Sequence, residues 1–157
     1  MAVAGWGSLG EQFTDALLLD AIPVDWQFGF TIPANRPGLS KNRKFAVAAN
    51  SGRIITSRES RETEYEIMLA CKDAANAAGV VLPLPTRKIW LALMVEKTTP
   101  RSDAINVIDL VCDGVKKAIE VDDRWFALWR VDWRIVHPDT EPQLRGIIGL
   151  SRPENRI

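Results

Sequence analysis

The sequence predicts an α+β fold, a single domain in which a mixed four-stranded sheet carries two main helices. Three stretches alternate apolar and polar residues with the period of a strand, and a fourth is an almost unbroken apolar run, as a strand covered on both faces requires. Two longer stretches set among them repeat apolar residues at helical spacing. The length, 157 residues with 46% hydrophobic and 25% charged, suffices for one well-buried core and is short for two.

The elements follow in order. Ser8-Leu9-Gly10-Glu11 has the form of a capping box, with Phe13, Leu17 and Ala21 at i, i+4 and i+8, so a short helix precedes Pro23. Trp26, Phe28, Phe30 and Ile32 alternate with Gln27, Gly29 and Thr31, the pattern of a half-buried strand that ends at Pro33. A basic loop comes next. Residues 44–48 and 53–56, separated by Ala49-Asn50-Ser51-Gly52, form a small hairpin, and a helix runs over 57–78 up to Gly79 with Tyr65, Met68, Leu69 and Cys71 among its apolar positions.

The apolar run 89–95, bounded by Lys88 and Glu96, is a central strand. After the connector Thr98-Thr99-Pro100-Arg101-Ser102, a second helix is predicted over 104–120. Trp125, Ala127, Trp129, Val131, Trp133 and Ile135 alternate with Arg130, Asp132 and Arg134. Tryptophans at i and i+4 also suit a helix, but the polar alternation and β-branched content favour a strand. That alternation assigns Trp125, Trp129 and Trp133 to the core rather than to base stacking. His137 to Pro142 make a turn that leaves His137 on the surface, and Leu144, Gly146, Ile148 and Leu150 mark the last strand. The chain divides into an extension over 1–25, a domain over 26–150 and a loose tail over 151–157.

Composition excludes several classes. Ten Gly and nine Pro without a period rule out collagen-like and low-complexity chains. Two cysteines, Cys71 and Cys112, both at helical apolar spacing, read as buried reduced thiols, which points to a cytoplasmic location. With one histidine and no CxxC pair, zinc has no usual ligand set, so a metal would be held by carboxylates. The first 35 residues lack Lys and Arg and no long apolar run exists, so neither a signal peptide nor a membrane span is expected.

Formal net charge is zero, 20 basic residues against 20 acidic, but the charge is segregated. Arg36, Lys41, Arg43, Lys44, Arg53 and Arg58 form a run without acids, whereas 103–123 holds six acids and two lysines. The first run suits phosphate contact and the second a divalent cation beside it; a solvated face is the plainer account of either. On a helical wheel Asn106, Asp109, Asp113, Lys116, Lys117 and Glu120 share one side, opposite Ile108, Val111, Cys112, Val115 and Ile119. Asp103 stands at the helix N-cap, and Asp122-Asp123 just before the next strand. Capping and a turn account for these acids structurally. Chemically, Mg²⁺ takes one or two carboxylates with water and substrate phosphate, so the same acids beside a basic loop are ingredients for phosphodiester hydrolysis.

The segment Arg101-Ser102-Asp103-Ala104-Ile105-Asn106, the helix with Asp113, and Val121-Asp122-Asp123 before a strand resemble the RusA family of Holliday junction resolvases. Ile32-Pro33-Ala34-Asn35-Arg36-Pro37-Gly38-Leu39-Ser40-Lys41-Asn42-Arg43 is similar to that family's opening strand and loop. The resemblance spans about residues 26–150. It implies a homodimeric, Mg²⁺-dependent endodeoxyribonuclease, with Mn²⁺ as a substitute, that places paired nicks in four-way DNA junctions. It further implies a bacteriophage or prophage origin, a bacterial cytoplasmic setting and no membrane partner.

By position, Asp103 matches the first aspartate of the family's D-x-D-N motif, Asn106 its asparagine, and Asp123 the essential aspartate downstream, with Asp122 beside it and Asp113 in support. Two positions depart from the pattern: the second aspartate is Ile105, and the usual lysine four residues later is Asp109. Residues i and i+4 lie about 5–6 Å apart on a helix, so Asp109 is positioned to supply the missing carboxylate from the next turn. The catalytic set is then Asp103, Asp109 and Asp123, with Asp122 as a further metal ligand. Lys41, Arg43, Lys44 and Arg53 are expected to follow DNA phosphates, and Arg101, Lys116 and Lys117 are candidates for the missing lysine's role and for DNA contact. Two other readings fit the same residues: a junction-binding protein that does not cut, and a broader nuclease acting on forks and flaps in phage DNA processing.

Overall fold

The computed structural model describes residues 24–40, 44–101 and 103–153; the expected N-terminal helix, Lys41, Arg43 and the end of the tail lie outside them. The α+β architecture is present as expected. Strands β1 (Val24–Pro33), β4 (Ile89–Lys97), β5 (Phe126–Ile135) and β6 (Gln143–Ser151) form one sheet in the order β1-β6-β4-β5, with β4 and β5 parallel and the other pairs antiparallel. Strands β2 (Phe45–Val47) and β3 (Ile54–Thr56) form the expected separate hairpin. Helix α1 (Arg58–Ala77) packs on β1 and on helix α2 (Ile108–Ile119).

Local signals explain the boundaries. Ser57 caps α1, its hydroxyl accepting from the Ser60 N–H at 3.2 Å, and Gly79 ends the region in a left-handed conformation that a side chain would disfavour. The predicted second helix is two pieces. A 3₁₀ turn over Ala104–Val107 leads into α2, which stops at Glu120, itself left-handed at φ 56°. The core lies between the sheet and both helices, from Phe28, Phe30 and Ile32 through Ile67 and Cys71 to Leu91, Leu93, Val111, Val115, Leu144 and Ile148.

Two bulges correct the predicted faces. The register shifts between Trp26 and Phe28, so Trp26 leaves the face of Phe28, Phe30 and Ile32 and packs with Ala92 and Met94 on the sheet's other side. In β5, Leu91 pairs with Leu128 but Ala92 with Arg130, so Trp129 is the extra residue. Trp129 joins Trp26 on the far side, ring centroids 5.7 Å apart, whereas Val131 packs on the core cluster with Leu93. The assignment of three tryptophans to the core therefore fails: β5 is an edge strand, Trp125 and Trp133 are exposed, and only Trp129 is partly covered. Cys112 likewise is only half-buried, whereas Cys71 is buried; both are free thiols.

At the end of β4, buried Glu96 joins three strands. Its carboxylate accepts from Arg134 Nε at 3.0 Å and from the Gln143 N–H at 2.9 Å, and Arg145 stands 3.5 Å away. A buried carboxylate is tolerated when its lone pairs are filled in this way. The helices meet at Gly114, where a Cβ would lie 2.6 Å from Ile67 Cβ and 3.0 Å from the Glu64 carbonyl. Gly114→Ala is therefore expected to destabilise the fold by about 2 kcal/mol through overpacking, read as a melting temperature about 4–8 °C lower. No described helix is long and apolar enough to cross a membrane.

Candidate active site

A cleft of about 450 Å³ opens where the loop after β1, the C-terminal end of β4 and the 3₁₀ turn converge. After β1 the chain folds back, the Ala34 N–H donating to the Pro142 carbonyl at 2.7 Å and the Leu39 N–H to Arg36 at 3.1 Å, while buried Leu39 anchors the turn in the core. This presents Arg36 and Ser40 to the cleft. The end of β4 adds Glu96 and Lys97, and the connector and 3₁₀ turn add Arg101, Asp103 and Asn106. Arg36 is also held by Glu66 at 2.8 Å.

Asp103 occupies the N-cap position with extended backbone, φ −91° and ψ 117°, but its carboxylate makes no capping hydrogen bond; only its carbonyl accepts, from the Asn106 N–H at 3.2 Å. Capping does not account for this side chain. Asp122 differs. Its carboxylate accepts from the Arg124 N–H at 3.1 Å and caps the 3₁₀ turn over Asp123–Trp125. That hydrogen bond, with Lys116 and Arg124 nearby, holds Asp122 below the usual carboxylate range. The associated stabilisation is present above the ordinary aspartate pKa and is lost as pH falls through the depressed value.

The other acids gather around Cys112. Burial pushes this thiol up to about 12, and the negative charges of Asp113, Asp123 and Asp109 add to the shift while Lys44 opposes it. Lys44 pairs with Asp113 at 2.7 Å, tying the basic loop to α2. Lys116 stands 3.3 Å from Asp123 and 3.8 Å from Asp122, and its ammonium is raised chiefly by the hydrogen bond to Asp123. At pH 8 the thiolate fraction of Cys112 is expected to be about 10³-fold smaller than that of an ordinary cysteine, so iodoacetamide should label the folded protein slowly and the denatured protein fast, as mass spectrometry would show.

The predicted residues thus fall into two groups. Asp103, Asn106 and Arg101 share the cleft, whereas Asp109, Asp113 and Asp123 share the neighbourhood of Cys112, with Lys44 and Lys116 as counter-charges. Lys117 pairs instead with Glu64 on α1, and Arg53 is exposed on the hairpin. Among the described residues no three of His, Cys, Asp or Glu are grouped so as to hold a metal ion. Mg²⁺ needs fewer, since one or two carboxylates with water and phosphate oxygens complete its shell, so Asp103, which makes no capping bond, has beside Asn106 the donor chemistry it prefers.

Sequence reading passed over Arg36 as a site residue and Lys97 altogether. The signal for Lys97 is a cation closing an apolar run: in sheets with parallel strands, ligands gather at the strands' carboxyl ends. Comparison with known proteins finds no match, neither to a family model nor to a curated sequence.

Proposed function

We propose that this protein is a structure-selective DNA endonuclease that resolves four-way junctions by Mg²⁺-dependent phosphodiester hydrolysis, acting as a homodimer. The observation that carries the reading is the cleft in which Asp103, freed from capping, and Asn106 face Arg36, Lys97 and Arg101. A cleft lined by three cations and Asp103, its other acid Glu96 being taken up by Arg134 and Gln143, suits a phosphodiester, whose oxygens take the cations, together with a divalent ion, which takes Asp103. The resemblance of residues 101–106 and 121–123 to the RusA motifs points the same way.

Arg101 and Arg36 offer planar forks to two phosphoryl oxygens, and Lys97, nearly buried, offers a point charge whose field is little screened. As negative charge builds on those oxygens in the transition state, these fixed cations gain more than in the ground state, which is what lowers a barrier. Asp103 and Asn106 would hold Mg²⁺; Asp109, Asp122 and Asp123, which stand around Cys112 and Lys116 and do not line the cleft, are the further acids that the resemblance implies. Bound there, the ion supplies Lewis acidity and a water of lowered pKa. A junction has approximate two-fold symmetry, so a C2 dimer presents two such clefts to equivalent strands.

Ile105, exposed where the resemblance calls for an acid, favours a second reading: a junction-binding protein that does not cut. One experiment separates the two. Purified protein is incubated with a labelled synthetic four-way junction and with a matched linear duplex, in Mg²⁺ or EDTA. Paired nicks confined to the junction and dependent on Mg²⁺ establish the nuclease; mobility shifts with intact strands under Mg²⁺ and Mn²⁺ establish the binder.

A further inference from the structure

A second cleft, about 520 Å³, adjoins the first and shares Lys97, Arg101, Asp103 and Ala104 with it. Its remaining walls are apolar: Pro100, Ile105, Val131 and Trp133. Its volume lies within the range of about 300–1,000 Å³ usual for small-ligand sites. Two of its walls are large hydrophobic side chains left open to solvent, Trp133 at 50% exposure and Ile105 at 63%. Both are brought there by fold rather than by local sequence. Trp133 pairs in register with Val95 of β4, and Ile105 stands in the 3₁₀ turn beyond the end of that strand.

The chemistry of this cleft is that of a nucleobase site. An indole ring with a half-open surface provides a stacking platform for any base, and an aliphatic wall covers a base without demanding hydrogen bonds. Lys97 Nζ lies 4.0 Å from the Trp133 ring centroid, a cation–π contact that covers part of one ring face, leaves the other for a base, and sets a positive charge at the boundary between the two clefts. A strand whose phosphate lies by Arg101 and Lys97 carries its adjacent base within reach of Trp133. An aspartate at position 105 would put a charge against the base's π-face; isoleucine gives it an apolar surface.

We propose that this cleft is a base pocket: it takes one unstacked nucleobase next to the bound phosphate, between Trp133 and Ile105. The proposal rests on the DNA-junction reading above and deepens it, because a fully stacked duplex offers no such base whereas a branch point does so at low cost. Trp133 and Ile105 are then the residues that discriminate branched from linear DNA.

The test uses the full-length protein in EDTA, so that strands stay intact, with four-way junctions carrying 2-aminopurine at single positions around the branch point and a matched linear duplex. The expected result is a fluorescence change on binding confined to one position in each symmetry-related strand. Trp133→Ala removes that change and lowers the ratio of junction to duplex affinity by about 5- to 100-fold, Ile105→Ser lowers it less, and Trp133→Phe restores most of it. Ile105 is largely exposed, so its variant reports on the pocket even if Trp133→Ala unfolds. If the wild type prefers junctions but Ile105→Ser, or a folded Trp133→Ala, leaves signal and ratio unchanged, the base pocket is wrong and the junction reading stands. If the wild type binds junction and duplex alike, or neither, the junction reading falls and the pocket with it.

Discussion

Replacing Asp103 by asparagine is expected to lower Mg²⁺-dependent junction cleavage by at least about 10²-fold, while junction binding in EDTA stays within about twofold of the wild type. The two quantities separate because different groups carry them. On the proposed reading, affinity for DNA phosphates comes from Arg36, Lys97, Arg101 and the basic loop, and the anionic Asp103 mildly opposes it. Its carboxylate makes no capping hydrogen bond, so the isosteric amide costs the fold little. Asp109→Asn, one helical turn from Ile105, is expected to lose about 10-fold. Full cleavage by Asp109→Asn would show that the acid missing at 105 has not been relocated to 109. Full cleavage by Asp103→Asn would remove the basis for a nuclease centred on this cleft. Both are read from initial rates of strand nicking at several Mg²⁺ concentrations, where a lost ligand shows as a higher Mg²⁺ requirement as well as a lower plateau.

The architecture was legible because it is written in periodicities. Period-two alternation, one continuous apolar run and two amphipathic stretches are each enough to identify an element, and the caps at Ser57 and Gly79 mark their ends. What the sequence hides is any irregularity of one residue. A bulge adds a residue without altering local composition, yet it reverses every face beyond it, which is why alternation alone puts Trp26 and Trp129 on the wrong side of the sheet. The 3₁₀ turn before α2 is hidden because Ala104, Val107, Ile108 and Val111 keep one helical spacing across it, and only the tertiary path tightens the first turn.

The candidate site divides along the same line. Acids on one helix face follow from a wheel, so Asp109 and Asp113 were found together; Lys44 meeting Asp113 across 69 residues, or Trp133 standing beside Lys97, depends on sheet register and loop path, which no local pattern encodes. Asp103 was legible as a position and not as a role. Whether an N-cap aspartate caps is decided by its side-chain rotamer and neighbours, and here the carboxylate is left to the cleft.

Gly38→Ala is expected to be the most damaging small substitution, costing about 3 kcal/mol and lowering the melting temperature by about 6–12 °C. A Cβ at position 38 would stand 2.3 Å from the Glu59 carbonyl carbon and 2.4 Å from Ser60 N. These are backbone atoms in the first turn of α1, so no side chain can turn aside, and all three of the nearest atoms belong to the backbone, whereas at Gly114 two of the three belong to Ile67. The contact is fastened from both sides, because Ser60 Oγ donates to the Gly38 carbonyl at 2.8 Å while Leu39 is buried in the core. Either the loop lifts or α1 shifts, and both displace Arg36 and Ser40, the loop's contribution to the cleft. Cleavage should therefore fall by about 10-fold even at temperatures well below the lowered melting point, as expected when a binding group moves by about 1 Å. A stability loss with unchanged cleavage would place Arg36 outside the chemistry and leave Lys97 and Arg101 as the cations that matter.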